Sequence, residues 1–200
     1  NADANNVQPT FQGMPADIEI EFALATKAPN GQCFGGITRT QNALTNDGSS
    51  GNAQVNAIVN GNDVYNNAWA GNKYLNIFVV NEAGGAAGYT TLPSSWSSSN
   101  MTNGIWVLHD YVGSIGTSGN FSSRTLTHEV GHWLNLRHIW GDNNCGNDYC
   151  NDTPTQQSEN YGCPNYPSAS NCSGNGSNGD MFMNYMDYTN DACMNLFTEN

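Results

Sequence analysis

The chain has 200 residues, with 5 basic against 17 acidic side chains and a formal net charge of −12. That balance argues against nucleic acid as a partner, because gripping phosphates needs a basic surface, and no apolar run approaches the ~20 residues of a membrane helix. An apolar content of 38% with five Trp supports a packed core, and residues 1–200 read as one domain with Asn-, Gly- and Ser-rich loops.

The opening Asn1-Ala2-Asp3-Ala4 has neither Met nor an apolar leader, as expected of a secreted chain already processed from a precursor. From Asp17 to Ala25 the residues alternate strictly. Ile18, Ile20, Phe22 and Leu24 point one way and Glu19, Glu21 and Ala23 the other, which predicts a half-buried strand. Lys73 to Val80 is more uniformly apolar and reads as a central strand, and Ile105 to His109 as another. Stretches around 46–53, 81–88 and 112–120 are connections. His109 sits at the end of its strand and matches no ligand spacing, so it reads as structural. A helix is predicted from Arg124 to Asn135, with Ser122 or Ser123 as its N-cap. Beyond Asn135, turns and cysteines dominate. The expectation is therefore an N-terminal lobe over 1–135 with sheet and helices, an irregular lobe over 136–200, and a site at the seam.

The seam carries His128-Glu129-Val130-Gly131-His132-Trp133-Leu134-Asn135-Leu136-Arg137-His138. An α-helix turns once in about 3.6 residues, so His128 and His132 lie one above the other and can chelate one metal ion. Glu129 stands beside the first ligand, within reach of a water at the metal. His138 joins them only if the helix ends first and the chain turns back. The spacing H-E-x-x-H-x-x-G-x-x-H is the zinc signature of metzincin peptidases. The departure is Asn135 in place of Gly. Asn is the next best residue for the left-handed conformation that ends a helix.

Five of the six cysteines (Cys33, Cys145, Cys150, Cys163, Cys172, Cys193) follow the zinc motif, and none forms a C-x-x-C pair. This reads as disulfides in an oxidising compartment; a thiolate zinc site fits the spacing poorly. Further on, Asn184-Tyr185-Met186-Asp187-Tyr188 fits the metzincin Met-turn, with the polarizable Met186 under the histidine rings.

With HEVGHWLNLRHIWGD, Asp152-Thr153-Pro154, Tyr161-Gly162-Cys163-Pro164, NYMDYT and the run Cys193 to Thr198, the chain resembles the pappalysin family of metzincins, its secreted cytophagalysin-type branch. The matches run from about residue 124 to the end. The resemblance implies an α/β metzincin-like catalytic domain. Its N-terminal lobe holds a twisted mixed sheet with helices, its C-terminal lobe is disulfide-rich, and a zinc cleft lies between them. It implies an endopeptidase acting on protein or peptide substrates, and a monomer is expected. Neutral His128, His132 and His138 hold Zn²⁺, Glu129 is general base, and Tyr188 stabilises the oxyanion. It implies structural Ca²⁺ in the loop after His138. Asp148 and the backbone carbonyls from Asn151 to Thr153 are the candidates there, although no EF-hand spacing is present. It points to Asp191 below the S1′ pocket, with cleavage before Arg or Lys. It also implies the disulfides Cys145–Cys172 and Cys163–Cys193, which leaves Cys33–Cys150 as an expected bridge between the lobes. An astacin- or serralysin-type metzincin, and a zinc-bearing binding module without turnover, are the competing readings.

Overall fold

Ile105, Trp106 and Val107 are almost wholly buried, as an apolar run covered on both faces must be. In this computed structural model, which describes residues 4–61, 69–97 and 99–199, that run is the middle strand of a three-stranded sheet. The strands are β1 (Ile77–Val80), β2 (Gly88–Thr90) and β3 (Ile105–Leu108), and the helices are α1 (Gly51–Val59) and α2 (Thr125–Trp133). β1 runs parallel to β3 with Ile77 opposite Ile105, and β2 runs antiparallel to it with Tyr89 opposite Trp106. The sheet is therefore mixed. Trp106 is the centre of its packing, stacked at 4.6 Å on Phe78 and 5.2 Å on Tyr89. Each such pair adds ~0.5–1.5 kcal/mol beyond area burial. The Trp106 indole N–H donates to Gln54 of α1, which ties that helix to the sheet.

Two strand expectations need correction. The run from Lys73 to Val80 shortens to β1 and lies at the sheet edge, with Phe78 and Val80 buried while Ile77 and Val79 face out. Asp17 to Ala25 joins no ladder, and Ile18, Ile20, Phe22 and Leu24 are 48–65% exposed. Alternation gives a segment two faces, but a strand also needs a neighbour to take its backbone hydrogen bonds.

After α2 the backbone is turns, with one isolated bridge between Asn184 and Leu196. Its core gathers Ile139, Trp140, Met181, Phe182, Met183, Met186 and Leu196. Val7 and Phe11 pack into this same core, and the Ala16 N–H donates to the Phe197 carbonyl at 2.8 Å. The first residues thus cross back into the C-terminal lobe, which amends the expected division at residue 135. Disulfides join Cys145 to Cys172 and Cys163 to Cys193, across 27 and 30 residues. Loops of that length lose enough unfolded-state entropy to stabilise the fold by roughly 3.5 kcal/mol each. The expected Cys33–Cys150 bridge is not formed, and Cys150 remains a thiol. Pairing by elimination presumes that every cysteine is bridged, which Cys150 is not.

Candidate active site

The site begins with how α2 starts and stops. Its first N–H groups lack helical partners. Neither Ser122 nor Ser123 supplies the cap, because the N-cap is Arg124, which makes no side-chain cap bond. The Arg124 N–H instead donates to the carboxylate of Asp191 in the C-terminal lobe. A negative group therefore sits at the positive end of the helix. At the other end, Asn135 adopts φ 79°. The N–H of Asn135 bonds the His132 carbonyl at 2.9 Å, and that of Leu136 bonds the Gly131 carbonyl at 2.9 Å. These two bonds are the Schellman pattern that closes a helix on a left-handed residue.

The reversal returns His138 to the helical pair. Ring centroids are 4.7 Å apart for His128 and His132, 4.5 Å for His132 and His138, and 5.3 Å for His128 and His138. One ring nitrogen from each histidine lies within 4.8 Å of the other two. Each Nδ1 faces an acceptor. These are the Tyr185 carbonyl at 2.6 Å for His128, the Leu136 carbonyl at 2.8 Å for His132, and Asp142 Oδ1 at 2.5 Å for His138. Burial holds His128 at about 3 and His132 at about 4. Both are neutral at physiological pH, with Nε2 available as a ligand. The three imidazoles fit zinc, which accepts a three-His set and keeps a further position open.

Glu129 is buried, and its Oε2 has no hydrogen-bond partner in the structure. Burial pushes its carboxyl up to about 8, and a cation beside it would draw that value down again. Beneath the histidines the chain turns at Asn184–Asp187, with the Asp187 N–H on the Asn184 carbonyl at 3.1 Å. Met186 is buried in this turn, against Gly131 of α2, where a Cβ would run into its sulfur. Tyr188 follows, its hydroxyl 3.0 Å from His138 Nε2. Burial, then the carboxylates of Glu129 and Asp142, push the phenol up to about 12, so it stays a hydrogen-bond donor. Asp187 holds the turn. Its carboxylate accepts from the backbone N–H groups of Asn160 and Tyr188, both at 2.8 Å, and from Gln156 Nε2 at 2.8 Å.

A cleft of about 640 Å³ connects these groups and is lined by His128, Glu129, His132, His138, Tyr188 and Asp191, with β2 along one wall. His109 lies away from it in a short turn after β3, 3.5 Å from Asp110. Beyond His138, Asp148 Oδ2 accepts from the Thr153 hydroxyl at 2.7 Å, whereas Asn151 is exposed. Among the described residues, the three histidines are the one group of three or more His, Cys, Asp or Glu side chains close enough to share a metal ion. Sequence reasoning missed Asp142, Asp187 and the capping role of Asp191. For Asp142 the signal was present in its place four residues after His138, just beyond Gly141.

A histidine pair one turn apart on a helix and a third histidine returned by a left-handed stop form a cluster that fits the metzincin zinc signature. A family model for peptidase M43, described as pregnancy-associated plasma protein-A, matches residues 59–200, and the chain belongs to this family. It is 38% identical over 128 residues to extracellular metalloprotease 1 of Coccidioides posadasii, an alignment covering 62% of this chain and 45% of that protein. With an extracellular metalloprotease of Arthroderma otae it shares 40% over 129 residues, covering 62% and 46%. The chain thus spans about half the length of these fungal relatives. Mirolysin in complex with compound 9 superposes with TM-score 0.84 at 42% identity, over 99% of this chain and 74% of that one. Mature Tannerella forsythia mirolysin with a cleaved peptide gives TM-score 0.81 at 41% identity, over 99% and 73%.

Proposed function

We propose that the protein is a secreted zinc endopeptidase that hydrolyses peptide bonds with water as nucleophile. The observation that carries this is the partnerless, buried Oε2 of Glu129 in the same cleft as three converging histidines. His128, His132 and His138 would hold the ion, which when bound supplies a Lewis acid beside the scissile carbonyl and acidifies water. Glu129 takes the proton of the attacking water and passes it to the leaving amine. Tyr188 donates its hydroxyl to the carbonyl oxygen as negative charge develops there. Met186 and Asp187 support the floor on which Tyr188 and the histidines rest.

Secretion is carried over from relatives named extracellular metalloproteases and fits two disulfides. Protein or peptide chains are the substrates, and the enzyme works as a monomer without nucleic acid or membrane. No described helix is long and apolar enough to cross a bilayer. The finer reading gives the enzyme a preference for Arg or Lys at P1′, with Asp191 as the counter-charge. Asp191 lines the cleft, and its Oδ2 also accepts the Arg124 N–H. Structural Ca²⁺ is assigned to Asp148 with the carbonyls from Asn151 to Thr153, where oxygen donors are dense.

The test is digestion of a proteome-derived peptide mixture by the calcium-supplied enzyme, with and without a zinc-selective chelator. Chelator-sensitive cleavage enriched in Arg or Lys at P1′ is expected. Cleavage that survives the chelator overturns the zinc reading, and cleavage without basic enrichment overturns the P1′ reading alone.

A further inference from the structure

The three histidines are not held in the same way. His128 and His132 stand on a helix, and their Nδ1 atoms face neutral main-chain carbonyls. His138 lies beyond the helix end in the turn His138–Asp142, which closes through the Gly141 N–H on the His138 carbonyl at 2.8 Å. No helix fixes its ring. Residues of its own loop do so instead. Trp140 stacks on the imidazole at 4.4 Å with an interplanar angle of 8°. Two successive left-handed residues, Gly141 at φ 65° and Asp142 at φ 58°, then turn the chain so that Asp142 Oδ1 meets His138 Nδ1 at 2.5 Å. Positive φ is uncommon for a residue with a side chain, and here it brings a carboxylate onto a ligand. The opposite nitrogen, Nε2, faces His132 Nε2 at 3.1 Å and the Tyr188 hydroxyl at 3.0 Å.

We propose that Asp142 is a positioning residue for zinc, fixing the orientation and tautomer of His138 as the one charged partner among the three Nδ1 acceptors. The inference rests on the zinc reading of the three histidines. With Nδ1–H given to the carboxylate, the Nε2 lone pair points to the other two ligands. Loss of such a partner typically weakens metal binding 10–100-fold.

Zinc dissociation constants by competition with a chromophoric chelator test this, on wild type, Asp142→Asn, Asp142→Ala and Glu159→Gln. The last removes a charge that accepts from the Tyr161 hydroxyl and is not bonded to His138. Asp142→Asn should weaken zinc roughly tenfold and Asp142→Ala more, toward a hundredfold. Glu159→Gln should stay within about twofold of wild type. The cobalt-substituted Asp142 variants should also show a shifted visible spectrum, which a purely structural loss elsewhere would not produce. Unfolding of the zinc-free variants checks that the fold is kept. Wild-type affinity in both Asp142 variants, or an equal loss in Glu159→Gln, overturns the proposal while leaving the zinc site standing. A wild-type protein that binds no zinc overturns both.

Discussion

Replacing Glu129 by Gln should stabilise the zinc-free protein, by an amount that depends on pH. Burial raises this carboxyl from 4.5 to about 8. The folded state therefore holds a proton between those values that the unfolded state has released. Its contribution to stability is fully present below about pH 4.5 and is lost as pH rises through 8. A tenfold difference in proton affinity between the two states is worth about 1.4 kcal/mol. As upper limits, the loss is under ~1 kcal/mol at pH 5, ~3 kcal/mol at pH 7 and roughly 4–5 kcal/mol above pH 8. Gln carries no charge and escapes it. Denaturant unfolding in the presence of a zinc-selective chelator, at pH 5, 7 and 8.5, should show the variant gaining on wild type as pH rises. The zinc-loaded variant should keep its metal and lose peptide cleavage. A stability gap constant across the three pH values would refute the reasoning, because it would place the effect in packing rather than in ionisation.

Asn135→Gly should retain zinc affinity within about twofold, since Gly adopts the same left-handed conformation freely. Asn135→Val should weaken zinc by tenfold or more in a chelator competition, because a β-branched residue resists φ 79° and His138 would be misdirected; near-normal affinity would show that the third ligand does not depend on this turn. Tyr188→Phe should leave the fold intact and lower kcat by about 10²-fold, the scale of one oxyanion donor. An unchanged kcat in steady-state peptide assays would remove the hydroxyl from the mechanism.

The parts of the site legible in the sequence are those set by local geometry. His128 and His132 are one helical turn apart wherever that helix forms, and Asn135 announces its own backbone conformation. The methionine turn is legible because Asn184 and Asp187 close it within four residues. What stays hidden depends on partners distant in sequence. The cap of α2 comes from Asp191, 67 residues from Arg124. No inspection of Ser122 and Ser123 reveals that a carboxylate elsewhere takes the N–H. The alternation from Ile18 to Leu24 identifies two faces but not the strand that would pair with them, and none does. Lys73 to Val80 reads as central because it is largely apolar, yet only Ile77–Val80 forms a strand and half of it faces outward at the sheet edge.

The groups that orient the site share an origin. The Tyr185 carbonyl on His128, Asp142 on His138, Asp191 on the start of α2 and Met186 against Gly131 all belong to the C-terminal lobe. The N-terminal lobe supplies His128, Glu129 and His132 on one helix, and the other lobe fixes where that helix begins, how its histidines are oriented and what lies beneath them. That lobe has almost no regular structure to hold itself in shape. Its order comes from the Cys145–Cys172 and Cys163–Cys193 links, from the buried carboxylate of Asp187 gathering Gln156 and Asn160, and from Val7 and Phe11 returning to its core. Cys193 lies two residues beyond Asp191 and five beyond Tyr188, so one disulfide anchors the segment that carries both the helix cap and the Tyr188 hydroxyl in the cleft. The cysteine-rich lobe is therefore part of the zinc site's construction, and a metal-binding motif confined to residues 128–138 depends on chain that extends from residue 7 to residue 197.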